Sequence, residues 1–158
     1  MPVYLDTNFF VAVIEGQEEL HRACRSLLEL DEKRVGLLVT SELTLAEVLA
    51  APHLALSLDD QFRVASNSPA AVYSELLLDR PGLSVQPIDR PILLLAALWR
   101  VKEQAVRLPD AIHLATAAMM KCDRVVSGDR KLRPSNIHTF TRIDVSAESV
   151  ESLVAELQ

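Results

Sequence analysis

Helices on both faces of a central, mostly parallel sheet, a three-layer α/β sandwich, are the fold class that this sequence predicts. Short unbroken apolar runs such as Val3-Tyr4-Leu5 and Val125-Val126 read as strands buried on both faces, the habit of parallel sheets. Longer stretches with helical period separate them, so the strands are joined by crossovers rather than hairpins. The length agrees, since 158 residues are the size of one ordinary domain.

Each element has its own signal. The first strand, Val3 to Leu5, ends at Asp6, and Asn8 to Glu15 reads as a helix stopped by Gly16. Leu20, Ala23, Cys24, Leu27 and Leu28 repeat at helical spacing and predict an amphipathic second helix. Val35 to Val39 is the expected second strand, and Ser41 or Thr44 is the expected cap of the helix carrying Glu47. Pro69 marks a helix start as its first residue. Leu83 to Ile88 is the expected third strand, interrupted by Pro87. Asp89 caps a helix running to about Gln104, with Trp99 and the stripe Leu93, Ala96, Ala97 and Arg100 expected to face the core. Another helix runs from about Pro109 to Lys121, followed by the strands Val125 to Ser127 and Arg142 to Val145. Ser146 caps a terminal helix with Val150, Leu153, Val154 and Leu157 on one face. The domain is expected to occupy residues 1–145, with the helix over 146–158 packed on it or extending it.

Composition narrows the function. Apolar residues are 49% and charged residues 24%, a globular balance that excludes disorder. Acids outnumber Lys and Arg by 22 to 16, giving a net charge of −6, so binding nucleic acid by bulk positive charge is excluded. Any such contact must run through metal ions or a local basic patch. Cys24 and Cys122 form neither a disulfide scaffold nor a metal-ligand spacing, and they fit a reducing cytosol. The longest apolar stretch, Ile92 to Trp99, stops at Arg100, short of the roughly 18 apolar residues of a membrane span. The N-terminus reaches an acid at Asp6 with no basic lead-in. A cytoplasmic protein without membrane contact is the expectation.

The informative residues are acids at the ends of strands, where open parallel sheets bind ligands. Asp6 closes the first strand, Asp129 follows the Val125-Val126-Ser127 run, Asp110 opens a helix, and Glu47 lies early in the helix after the second strand. Four acids far apart in sequence would thus meet at one edge and repel each other without cations. An oxygen-rich, histidine-poor set suits Mg²⁺ or Mn²⁺ rather than zinc.

Each acid also has a structural reading. Asp6 and Asp129 are the sort of acids that form turns. Thr44 and Glu47 match a capping box, and Asp110 after Pro109 would favour the helix dipole. His113, one turn after Asp110 in an apolar helix, reads as core or edge packing, while His21, His53 and His138 have no companions at ligand spacing. Arg130, Lys131 and Arg133 sit beside Asp129, where a phosphodiester would lie.

Taken together, Tyr4-Leu5-Asp6-Thr7-Asn8, Leu45-Ala46-Glu47-Val48, Leu108-Pro109-Asp110-Ala111-Ile112-His113-Leu114-Ala115-Thr116-Ala117 and Ser127-Gly128-Asp129 resemble the four motifs of PIN-domain ribonucleases. The likeness is greatest to the VapC toxins of toxin–antitoxin pairs, and it spans residues 3 to about 145. It implies a PIN-like fold and an endoribonuclease dependent on Mg²⁺ or Mn²⁺. Asp6, Glu47, Asp110 and Asp129 would be the catalytic and metal-binding acids, with Asn8 and Ser127 as supporting polar residues. A cognate antitoxin, an RNA substrate and a homodimer follow from the same likeness, the dimer using the helix over 91–99 or the terminal one. Two stretches depart from the family pattern, Arg130 to Thr141 and the helix after Ser146. The alternative is a catalytically silent PIN-like module that binds a protein or RNA partner. A phosphatase of the haloacid-dehalogenase type needs a second aspartate two residues after the first, where this chain has Asn8.

Overall fold

The computed structural model describes residues 1–54, 56–59, 61, 63–130, 132 and 139–158. Five strands form one sheet: β1 (Val3–Leu5), β2 (Leu38–Ser41), β3 (Ser84–Gln86), β4 (Arg124–Val126) and β5 (Thr141–Ile143). Their order is β3-β2-β1-β4-β5 and every pairing is parallel. Around them lie α1 (Thr7–Glu15), α2 (Glu18–Lys33), α3 (Glu42–Leu49), α4 (Ala70–Ser74), α5 (Arg90–Lys102), α6 (Leu108–Met119) and α7 (Ala147–Leu157). A π-helical turn, Glu75–Asp79, extends α4.

The pleat explains the three layers. Along β1, Val3 and Leu5 point into one apolar cluster with residues of α1, α2, α3 and α7, while Tyr4 points into the other with α5 and α6. Leu38 and Val39 divide in the same way, as do Val126 and Val125. The apolar runs of β1 and β4 end where the strands end, and Asp6 and Ser127 come directly after them. Along its inner side, α7 packs on α2 and buries Val150, Leu153 and Leu157 in the cluster beneath β1.

Several boundaries differ from the sequence expectations. The second strand begins at Leu38 rather than Val35, because Gly36 turns the chain with φ +83° and leaves Val35 82% exposed. The third strand stops at Gln86, since Pro87 has no N–H to continue the ladder. Pro69 stands just before α4 as its cap residue. In α5 the buried face is Ile92, Ala96 and Trp99, whereas Leu93 and Ala97 of the expected core stripe turn outward. The expected caps Asp89 and Ser146 do accept backbone N–H bonds, from Ile92 and Ser149 respectively.

The topology fixes where a ligand binds. From β1 the chain steps outward through β2 to β3, then returns past β1 to β4 and β5. The strand order therefore reverses between β1 and β4, and the crevice at their carboxyl ends is the expected binding place. Asp6 and the Ser127-Gly128-Asp129 turn lie at that edge, directly after β1 and β4.

Candidate functional site

Asp6 is fixed first. It is 4% exposed, its backbone N–H still bonds Val126 in the sheet, and it caps α1. Its Oδ1 accepts the Thr7 N–H at 2.8 Å, while Oδ2 accepts Ser127 Oγ–H at 2.6 Å and Asn8 Nδ2–H at 3.2 Å. The hydrogen bonds and the positive end of α1 offset the cost of burying this carboxylate. Ser127 is itself fully buried, and its Oγ accepts the Asp129 N–H at 3.0 Å. One hydroxyl thus locks the ends of β1 and β4 together.

Glu47 is brought in by α3. It closes no capping box, because Thr44 lies inside the helix with its hydroxyl paired to Thr40 at 2.8 Å, and Ser41 stands at the cap position. Glu47 Oε2 instead accepts the Thr7 hydroxyl and lies 3.0 Å from His113 Nε2. Burial pushes the Glu47 carboxyl up, but the bonds to His113 and Thr7 and the charge of Arg107 outweigh it, holding it below the usual glutamate range.

His113 is buried, as the apolar face of α6 predicts, yet its ring joins the acids. Its Nδ1 is 2.7 Å from the Tyr4 hydroxyl, and its Nε2 also lies 3.6 Å from Asp6 Oδ1. The signal in the sequence was the spacing of Asp110 and His113, which places both on one side of α6. Thr7 and Arg107 were also missed. Arg107, one turn before Asp110, reaches Asp110 Oδ2 at 3.1 Å and Asp129 Oδ2 at 3.4 Å, and its side chain is 68% exposed.

All four acids line one cleft of about 200 Å³, together with Thr7, Asn8, Arg107 and His113. Asp6 forms its floor, and Asp110 and Asp129 stand nearer solvent. Arg130 follows Asp129 on the exposed surface, and Lys131 and Arg133 lie outside the described residues. A larger concavity of about 610 Å³ lies between α1, α2 and α4, with Val13, Leu28 and Leu76 among its walls. Size therefore does not mark the chemistry; the convergence of carboxylates does. Within the smaller cleft, Asp6, Glu47 and His113 each offer a donor atom, and the three atoms lie within 4.8 Å of one another. That donor set fits a divalent cation. No helix among the described residues is long and apolar enough to cross a membrane.

Known proteins agree with this architecture. Among curated proteins none matches. The DNA-bound VapBC of Salmonella typhimurium superposes with a TM-score of 0.63 at 20% identity, covering 92% of this chain and 99% of that one. VapC20 of Mycobacterium tuberculosis, a sarcin-ricin loop cleaving toxin, gives 0.58 at 16% identity over 82% of this chain and 92% of that one. A toxin-antitoxin complex from Klebsiella pneumoniae gives 0.53 at 18% identity over 80% and 86%. These similarities are of fold. The family itself is shown by the sequence, because residues 3–134, most of the chain, match the PIN domain; this chain belongs to the PIN domain family.

Proposed function

We propose that the chain is a metal-dependent endoribonuclease and the toxin of a toxin–antitoxin pair. The observation that supports this best is the meeting of Asp6, Glu47, Asp110 and Asp129 in one cleft at the carboxyl edge of the sheet. These four acids would hold Mg²⁺ or Mn²⁺. When bound, such an ion polarises a phosphate, lowers the pKa of water and offsets charge on the leaving oxygen.

The chain's own groups prepare the site. Ser127 and Asn8 hold Asp6 Oδ2, and Thr7 holds Glu47 Oε2, so neither carboxylate has to reorganise as substrate arrives. Glu47, Asp110 and Asp129 are all more exposed than Asp6, and an RNA backbone would enter over them. Arg130, Lys131 and Arg133 are the proposed contacts to its phosphates. The reaction is in-line hydrolysis with water as nucleophile and the 3′ oxygen as leaving group, giving a 5′-phosphate and a 3′-hydroxyl.

Partners and location belong to the same reading. The antitoxin is the proposed inhibitor, and the Klebsiella neighbour is itself a toxin-antitoxin complex. A homodimer is proposed through the outward face of α5, where Leu94 is 65% and Val101 76% exposed. Light scattering would then give twice the 17.5 kDa chain mass. The buried thiols of Cys24 and Cys122 support a reducing cytoplasm.

The test is cleavage of a mixed RNA pool by the purified chain with Mg²⁺, with Mn²⁺ and with chelator, beside Asp6→Asn. Cleavage that requires metal, vanishes in the variant and leaves 5′-phosphates is expected. Products with 2′,3′-cyclic phosphates, or an active Asp6→Asn, would reject the mechanism. Tight RNA binding without cleavage would favour the silent binding module.

A further inference from the structure

The inner wall of the cleft holds a nitrogen donor whose orientation is set by groups buried behind it. Tyr4, fully buried, donates its hydroxyl proton to Ser41 Oγ at 3.1 Å. The Tyr4 oxygen also lies 2.7 Å from His113 Nδ1, which pins that side of the ring. The other ring nitrogen, Nε2, points into the cleft. It faces two carboxylates, Glu47 Oε2 at 3.0 Å and Asp6 Oδ1 at 3.6 Å. Whatever sits between these three atoms has to be positive, either a proton or a metal ion. A metal-bound histidine characteristically donates its other N–H to a buried partner, which fixes the ring. Here Tyr4 is that partner, and Ser41 in turn fixes Tyr4.

The geometry points to His113 as a direct metal ligand through Nε2, giving this centre a preference for first-row transition ions over Mg²⁺. The inference rests on the reading above, that the acids hold a divalent ion. Its chemistry is simple. Mg²⁺ takes oxygen ligands almost exclusively, whereas imidazole binding strengthens from Mn²⁺ towards Co²⁺ and beyond. Asp110 and Asp129 offer oxygen alone, so the preference would belong to the half of the cleft made by Asp6, Glu47 and His113.

Two measurements on the full chain test this. Pulsed electron paramagnetic resonance of Mn²⁺-loaded protein should show a directly bound imidazole nitrogen, replaced by the ¹⁵N signature when histidine is ¹⁵N-labelled. Calorimetry should rank Co²⁺ above Mn²⁺ above Mg²⁺. His113→Asn should weaken Co²⁺ and Mn²⁺ by about tenfold or more while changing Mg²⁺ by less than about threefold. Asp6→Asn should weaken all three ions. Mn²⁺ that binds in an Asp6-dependent way without a coordinated nitrogen overturns this inference alone, as does an equal loss for all ions in His113→Asn. If no ion binds in an Asp6-dependent way, the metal-dependent nuclease reading falls as well. Should His113→Asn fail to fold, the resonance of the wild-type chain decides.

Discussion

The guanidinium of Arg107 lies 3.4 Å from Asp129 Oδ2, joining a residue just before α6 to the turn after β4. The same group bonds Asp110 Oδ2 at 3.1 Å, so one cation spans two of the four acids of the cleft. It thereby does from within the chain part of what a second metal ion would do, lowering the mutual repulsion of the carboxylates. Arg107→Ala should therefore tighten Mg²⁺ or Mn²⁺ binding at low ionic strength. Because the side chain is mostly exposed, the gain should be at most about fivefold, the scale of roughly 1 kcal/mol for a surface pair. It should shrink as salt is raised. Calorimetry at low and high salt reads both effects, and weaker binding in the variant would mean that Arg107 does not compete with the ion.

The terminal helix is proposed to be part of the same folding unit as residues 1–145. Leu153 is 1% exposed in the cluster that also holds Leu27, Leu28 and Val3. Leu153→Ala should therefore cost about 2–5 kcal/mol, as for other buried leucines. Urea unfolding followed by the single tryptophan, Trp99, should shift as one cooperative transition, even though Trp99 lies in the other cluster. An unchanged Trp99 transition would show α7 to be an appendage that frays independently.

What was legible in the sequence followed from local chemistry. Val3-Tyr4-Leu5 could be read because a strand covered on both faces needs an unbroken apolar run, and Asp6 because the run ends there. The four acids were legible as strand-end and helix-start residues. Val35 misled because it is apolar yet belongs to the turn at Gly36, and no local pattern distinguishes a strand from an exposed valine before a turn. The outward leucines of α5 misled for a related reason, since Leu93 to Leu95 are apolar all round the helix and periodicity cannot choose the core face. Thr44 and Glu47 have the spacing of a cap, but Thr40, four residues before Thr44, and His113, 66 residues after Glu47, meet their side chains instead. His113 meets Tyr4 and Glu47, and Arg107 meets Asp129, only when α6 packs beside β1 and the turn after β4. Contacts across 22 to 109 residues leave no trace in local spacing.

Two glycines give a paired test of backbone strain. Gly36 and Gly82 both sit in the left-handed region, at φ +83° and +93°. A Cβ at Gly36 would meet nothing within 4 Å, whereas one at Gly82 would lie 2.8 Å from both the carbonyl oxygen and Oδ2 of Asp31. Asp31 is fully buried and its Oδ1 accepts the Leu38 N–H, so it has little freedom to move. Gly36→Ala should cost about 1–2 kcal/mol, the left-handed penalty alone. Gly82→Ala should cost at least twice as much. Equal shifts in chemical denaturation would show that the end of α2 yields to the new methyl group.

A final prediction concerns acid. Glu15 closes α1, and its Oε1 accepts the Tyr73 hydroxyl at 2.6 Å and lies 2.9 Å from His53 Nε2. Hydrogen bonding by Tyr73, then by His53, holds the Glu15 carboxyl below the usual glutamate range. The sign follows directly. A carboxyl whose pKa is lowered on folding adds stability at pH values above its unfolded value of about 4.3, and that stability is lost as the pH falls through the folded value. Tyr73 is 2% exposed and supplies the shorter bond, so Tyr73→Phe should cost about 1 kcal/mol at pH 7. The half-exposed His53 contact should add less. Urea denaturation of both proteins at pH 7, 5 and 3 should show the difference holding from pH 7 to 5 and narrowing by pH 3. There the wild type loses what the variant never had. A difference that stays constant to pH 3 would assign the loss to packing around the Tyr73 ring rather than to its bond with the Glu15 carboxylate.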